Sequence, residues 1–143
     1  MKESGLWATV SRNVSRFGLF ERIENLLASG IPDVNFLVKG IEGWIELKHE
    51  RNWPTRANTV MRFKIQDGQR LWWKNRRTLG GRVFVFAQVE KCYFLFDAYL
   101  AADHLSIDWT QQDMKDNAIC WWSGLCDWRE MVKTLIQYQT EVP

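Results

Sequence analysis

Leu6, Trp7, Val10 and Val14 recur at helical spacing with polar residues between them, which predicts an amphipathic helix over residues 3–14. The alternation Phe20-Glu21-Arg22-Ile23-Glu24 then favours a strand within 17–25 over a second helix. Ser29, Gly30 and Pro32 mark a loop over 26–32. Residues 34–38 alternate, 40–43 hold two glycines and read as a turn, and 44–48 alternate again, which predicts a β-hairpin. Residues 51–61 contain Pro54 and no periodicity and read as a mobile loop. Asp67 is placed to cap a helix that runs to Leu79 and ends at Gly80-Gly81. Residues 83–89 are a buried type of strand, with 92–96 paired to it as a second hairpin. A short helix near 98–103, an irregular acidic stretch and a last helix over 127–138 complete the chain. No repeat or internal linker interrupts this order, so the pattern predicts an α/β or α+β domain around a central mixed sheet.

Composition narrows the class. At 143 residues, 46% hydrophobic and 25% charged, the chain fits one globular domain and excludes a disordered one. No apolar run reaches the length of a membrane span, and residues 1–30 lack a secretory pattern. Cys92, Cys120 and Cys126 match neither a disulfide framework nor a zinc pattern, which favours a reducing, cytoplasmic setting. The nine tryptophans exceed what a core requires.

Net charge is +2, yet residues 51–82 carry nine bases against one acid, Asp67, leaving −6 for the rest. Much of that deficit lies in 97–130. Such asymmetry is the footprint of a protein that meets nucleic acid on one side, although a solvated helix face has the same signature. Arg51, Arg56, Arg62 and Lys64 lie in or beside the loop after the hairpin, placed to contact phosphates. Trp53 is placed either to stack on a base or to pack beside Pro54.

The chemistry concentrates in Gly30-Ile31-Pro32-Asp33 and Glu46-Leu47-Lys48. In a strand, Glu46 and Lys48 point one way while Ile45 and Leu47 point into the core. The hairpin brings Asp33 across the ladder from them. Two carboxylates this close repel unless a cation joins them, and hard oxygen ligands suit Mg²⁺ or Mn²⁺. The Leu47 backbone carbonyl is a further candidate ligand, and Lys48 a group to orient water or steady charge on a phosphate. An exposed Glu–Lys pair beside a turn is the structural alternative. His49 follows the motif, but strand parity turns it away from Lys48.

Pro32-Asp33 with Glu46-Leu47-Lys48 resembles the signature of the PD-(D/E)XK nuclease superfamily. With Gly30-Ile31, Trp44-Ile45, Gln69, Trp72 and Gly80-Gly81, the longer pattern is similar to its virus-type replication-repair nuclease branch. Its layout is similar to that of Holliday-junction resolvase-like phage nucleases. The resemblance covers about residues 3–96 and leaves an acidic, tryptophan-rich extension over about 97–143. It implies a restriction-endonuclease-like mixed sheet flanked by helices and Mg²⁺- or Mn²⁺-dependent hydrolysis of DNA. Branched substrates, a homodimer and a bacterial or phage-infected cytoplasm are further implications. By position, Asp33 and Glu46 would hold metal, Lys48 would act at the attacking water and Gln69 would face the site from the following helix. A further acid is usual upstream, for which Glu3 and Glu24 compete; Arg22 shares parity with Glu24 and would meet a phosphate or pair with an acid. The rival expectation is a DNA- or protein-binding module on the same fold with little or no cleavage.

Overall fold

The computed structural model describes residues 3–23 and 30–140, with Glu3 and Ser4 as backbone alone. Its elements are α1 (Glu3–Val14), β1 (Leu19–Arg22), β2 (Val34–Val38), β3 (Ile41–Glu50), α2 (Asp67–Thr78), β4 (Val83–Val89) and β5 (Cys92–Asp97). They continue with α3 (Ala98–His104), α4 (Gln111–Asn117), β6 (Cys120–Ser123) and α5 (Trp128–Gln137). The strands form one sheet in chain order. All neighbours are antiparallel except β3 and β4, which α2 connects as a parallel pair. The chain is therefore a mixed α/β sheet flanked by helices, as expected. No helix among the described residues is long and apolar enough to cross a membrane.

Each face of the sheet carries its own core. On one face Trp73 of α2, Leu105 after α3 and Met114 of α4 pack on Val83, Val85, Phe94 and Phe96. On the other, Leu6, Val10 and Val14 of α1 join Met131 and Leu135 of α5 over Ile45, Leu47, Phe84 and Phe86. All seven residues of β4 are buried, which is why its sequence shows an apolar run instead of alternation.

Three local expectations need correction. The first turn is shorter than residues 40–43. Lys39 and Gly40 have φ of 50° and 80°, the type I′ geometry of a two-residue hairpin, and Val38 pairs with Ile41. Gly43 lies inside β3, where the Phe36 ring covers it and a Cβ would collide. The second correction concerns α2, whose N-cap is Gln66, with Asp67 in the first turn. At its other end Gly80 adopts φ 91°; its N–H reaches Arg77 O at 3.0 Å and that of Gly81 reaches Arg76 O at 2.9 Å, a Schellman ending. Third, the acidic stretch after α3 is ordered. Thr110 and Asp113 cap α4 reciprocally, and β6 pairs with β5 from Cys92↔Ser123 to Leu95↔Cys120.

The C-terminal part shares both cores. Trp109 is buried beside Phe96 and stacks on His104, Trp121 stacks on Phe94, and Trp128 packs on Phe86 and Tyr93. Asp97, which caps α3, ties these layers together. It accepts from Arg77 Nε at 2.9 Å, Arg77 Nη2 at 3.0 Å, Tyr99 N at 2.9 Å and Tyr138 Oη at 3.0 Å.

Candidate active site

β3 is ten residues long, and only its first half has β2 beside it. The β2–β3 ladder starts at Val34↔Ile45, so from Glu46 onward that edge of β3 has no strand partner among the described residues, while the other edge continues along β4. Asp33, one residue before β2, fills the gap with its side chain: Oδ2 accepts the Leu47 N–H at 2.9 Å. The Asp33 carbonyl in turn accepts the Ile23 N–H at 2.7 Å, which anchors the other side of this fork. In an extended strand a residue's N–H and C=O project to the same edge, so the Leu47 carbonyl also faces the notch.

Glu46 and Lys48 lie opposite Val85 and Ala87, on the face covered by α2. Both are buried, at 2% and 3% exposure. Lys48 Nζ donates to Lys64 O at 2.6 Å and Gln69 Oε1 at 3.4 Å, and pairs with Glu46 Oε2 at 3.2 Å. Three acceptors for three N–H bonds is the full complement of an ammonium. Gln69 donates from Nε2 to Glu46 Oε2 at 3.0 Å, while its Oε1 accepts the Gln66 N–H at 2.9 Å. That backbone donor settles which end of the Gln69 amide faces Glu46. Asp33, Glu46, Lys48, Lys64, Gln66 and Gln69 line a cleft of about 260 Å³.

Glu46 is the electrostatically strained member. Burial first, and the nearby Asp33 charge second, push its carboxyl up to about 8 against the opposing pull of Lys48. Among the described residues, Glu46 Oε1 is buried with no hydrogen-bond partner. A buried carboxylate oxygen beside a second carboxylate and a backbone carbonyl could hold a hard divalent cation. No cluster of three or more His, Cys, Asp or Glu forms among the described residues; the oxygens that could hold a cation there are those of Asp33, Glu46 and the Leu47 carbonyl.

The remaining expected residues are placed as follows. Glu24 and the side chain of Glu3 lie outside the described residues; the α1 helix that Glu3 begins packs on the face opposite Glu46. Arg22 is exposed on edge strand β1 and pairs with Val34, whose side chain is buried in the α1–α5 core, so the structure does not bring it to the cleft. Arg51, Arg56 and Lys64 are exposed, and Lys64 lines the cleft. Arg62 donates to Ser106 O at 2.8 Å. Trp53 packs edge-on against Phe94, with ring centroids 5.7 Å apart, which answers to the packing alternative.

Much of the basic segment is spent inside the molecule. Arg77 forms a buried pair with Asp97, Lys74 pairs with Asp103, Arg70 donates to Ala102 O, and Arg82 donates to Leu135 O and Tyr138 O. Arg76 lies over Trp44 and Trp72. Arg77 is only 4% exposed and so is no part of a solvated helix face.

Sequence reasoning missed the clamp on the loop that reaches Lys48. Ser106, at φ 65° and 8% exposure, accepts the Phe63 N–H through Oγ at 2.6 Å and donates back to Phe63 O at 3.1 Å. Met61 N donates to Trp109 O at 2.9 Å. Residues 61–63 are thereby held by the C-terminal part, and the next carbonyl is the one that holds Lys48. A lone serine in an acidic stretch carries no sequence signal for this.

No family model matches the chain, and no curated protein matches it. Among solved structures it is similar to a bacterial homing endonuclease, I-Ssp6803I, over 72% of this chain and 67% of that one, at 18% identity and a TM-score of 0.46.

Proposed function

We propose that this chain is a divalent-metal-dependent DNA endonuclease whose centre is Asp33, Glu46 and Lys48. The observation that carries the reading is a buried lysine and a buried glutamate beside a second carboxylate, with one Glu46 oxygen left without a partner. A structural ion pair would not need that second acid or that orphan oxygen.

Asp33, Glu46 and the Leu47 carbonyl would hold Mg²⁺ or Mn²⁺. When bound, the cation supplies positive charge for a scissile phosphate and acidifies water. The chain's residues do the positioning. Asp33, one of whose oxygens accepts the Leu47 N–H, would be held by that bond in position to take part in binding the cation. Lys48 is held by Glu46, Gln69 and Lys64, and on substrate binding it would turn one N–H from Gln69, its longest contact at 3.4 Å, toward the attacking water or the phosphate oxygens as charge builds there. Gln69 keeps the Glu46 and Lys48 heads in register from α2. Lys64, which lines the cleft, and the exposed Arg51 and Arg56 of the same loop would contact the phosphate backbone without reading bases. Preference for branched DNA and action as a homodimer follow from the resemblance of the motif.

The test is a panel of labelled four-way junction, flap, nicked duplex, single strand and plain duplex, with Mg²⁺ or Mn²⁺. Cleavage by the wild-type chain that disappears in Asp33→Asn, with DNA binding retained, supports the reading. Equal activity on all five removes the structure preference. DNA binding without cleavage of any substrate leaves a binding module on this fold.

A further inference from the structure

A second concave site lies on the other face of the sheet, away from Glu46 and Lys48. Phe17, Val38, Val132 and Ile136 line a pocket of about 260 Å³, and Lys39, Arg129 and Lys133 stand among its lining. Its place follows from the sequence. Phe17 follows the end of α1, Lys39 is the left-handed residue of the β2–β3 turn, and Arg129, Val132, Lys133 and Ile136 share one flank of α5 at i, i+3, i+4 and i+7. Arg82 from the sheet donates to Leu135 O at 3.0 Å and Tyr138 O at 2.7 Å, which holds the end of α5 in place and makes the pocket a preformed feature.

Among the described residues the charge lining it is one-sided. Two guanidiniums converge on a single ring, Arg16 at 4.6 Å and Arg129 at 5.3 Å from the Phe17 centroid. Like charges gathered at one ring repel, and no salt bridge among the described residues relieves Arg16, Lys39, Arg129 or Lys133. The neighbouring acids point elsewhere. Glu21 and Glu42 belong with Asn35 and Leu37 on the opposite face of the sheet, where Asn35 donates to Glu42 at 3.2 Å. Glu130 lies on the β6 flank of α5, where its charge acts on Cys120 and Cys126.

We infer that this pocket is a docking site for an acidic peptide segment of a partner protein, which seats one large apolar side chain against Phe17, Val38, Val132 and Ile136 while its carboxylates meet Arg16, Lys39, Arg129 and Lys133. Charge complementarity selects the acids, and the apolar floor selects a peptide over nucleic acid. A phosphate backbone would answer the four cations and leave the half-buried Phe17 and Ile136, which stand over the buried Val38 and Val132, without an apolar partner. The site is independent of the proposed nuclease chemistry, since none of its residues lines the Asp33 cleft.

The probe is a fluorescein-labelled peptide, Gly-Asp-Asp-Asp-Phe-Asp-Asp-Gly, titrated with the full chain by fluorescence anisotropy at 0.15 M salt. Controls carry alanine for phenylalanine or asparagine for every aspartate. Saturable binding should weaken about tenfold or more with either control peptide, one decade being the effect of losing a well-seated apolar or charged contact. The double variant Arg129→Glu/Lys133→Glu should lose binding to a similar extent, and Lys48→Ala should bind like the wild-type chain. Equal affinity for the phenylalanine and alanine peptides overturns the proposal, because the pocket would then be only a charged surface. Absence of saturable binding overturns it as well. If the double variant instead weakens binding of a DNA duplex, or dissociates a dimer seen by sedimentation, the occupant is nucleic acid or a second copy and the peptide assignment fails.

Discussion

Residues 33–48 and residues 97–110 both surround the same loop, and they hold it by opposite means. The first stretch presents ionisable side chains from a splayed strand pair, with Glu46 and Lys48 buried on one face and Asp33 bridging the open edge. The second presents backbone and hydroxyl groups, Ser106 and Trp109, that grip residues 61–63. Chemistry sits in one region and its support in the other. Lys48 depends on both, since its third acceptor is the Lys64 carbonyl that the second region places.

The largest effect expected from breaking the supporting region is at Asp97. Asp97→Ala leaves the nearly buried Arg77 guanidinium without its bidentate partner, and loss of one partner of such a pair costs about 3–5 kcal/mol. Urea unfolding should show that loss. A change under about 1 kcal/mol would mean that the C-terminal layer is not held through this residue.

The chemical region is probed by pH. In EDTA the Glu46 carboxyl keeps its proton up to about 8 in the folded chain, against its ordinary 4.5. The folded state therefore binds more protons than the unfolded state between these values, so the contribution is fully present below about 4.5 and is lost as pH rises to about 8. Stability in EDTA should fall across that window. Glu46→Gln should flatten the fall, and Mg²⁺ should reduce it by binding the ionised form. A wild-type profile identical to that of Glu46→Gln would remove Glu46 as the strained group.

Smaller effects separate support from chemistry. Ser106→Ala strips two hydrogen bonds from Phe63 and should cost about 1–3 kcal/mol, with cleavage slowed at unchanged DNA affinity. Ser106→Gly relieves the left-handed φ but also lacks the hydroxyl. Equal slowing in both variants assigns the effect to the hydroxyl, and recovery in the glycine variant assigns it to backbone strain. Smallest of all, Arg56→Ala should lower the salt dependence of DNA binding by about one phosphate contact. An unchanged slope would place DNA away from this loop.

The contrast also explains what was legible in the sequence. The hairpin and its Glu46–Lys48 parity follow from period-two alternation, which a strand backbone enforces wherever one face is buried. β4 was readable from its apolar run, and the end of α2 from Gly80-Gly81. Gly43 misled because glycine signals a turn locally, whereas its reason here is the Phe36 ring packed on it from the neighbouring strand. Asp67 misled because aspartate is a favoured cap, while Gln66 caps the helix together with Gln69, which also serves the site. The tryptophans of the acidic stretch looked surplus to a core. Trp109, Trp121 and Trp128 in fact finish the two cores on either side of β5. Those contacts link residues far apart in the chain, and no local pattern encodes them.

The site's centre was legible because its acids and lysine lie within one hairpin. The Lys64 carbonyl and the Ser106 clamp were not, since backbone atoms carry no residue identity. The basic stretch over 51–82 overstated the surface available to DNA, because Asp97, Asp103 and backbone carbonyls of 102, 106, 135 and 138 take up several of its cations.

The central claim is that Lys48 acts on phosphodiester hydrolysis and does not merely fill the core. Single-turnover cleavage of a labelled four-way junction at saturating Mg²⁺ tests it most directly, with the wild-type chain and Lys48→Ala both folded and both saturated with DNA. The account predicts a rate lowered by about two to three orders of magnitude with DNA affinity unchanged, the scale of removing one charge-stabilising donor. A Lys48→Ala rate within about threefold of wild type would contradict it.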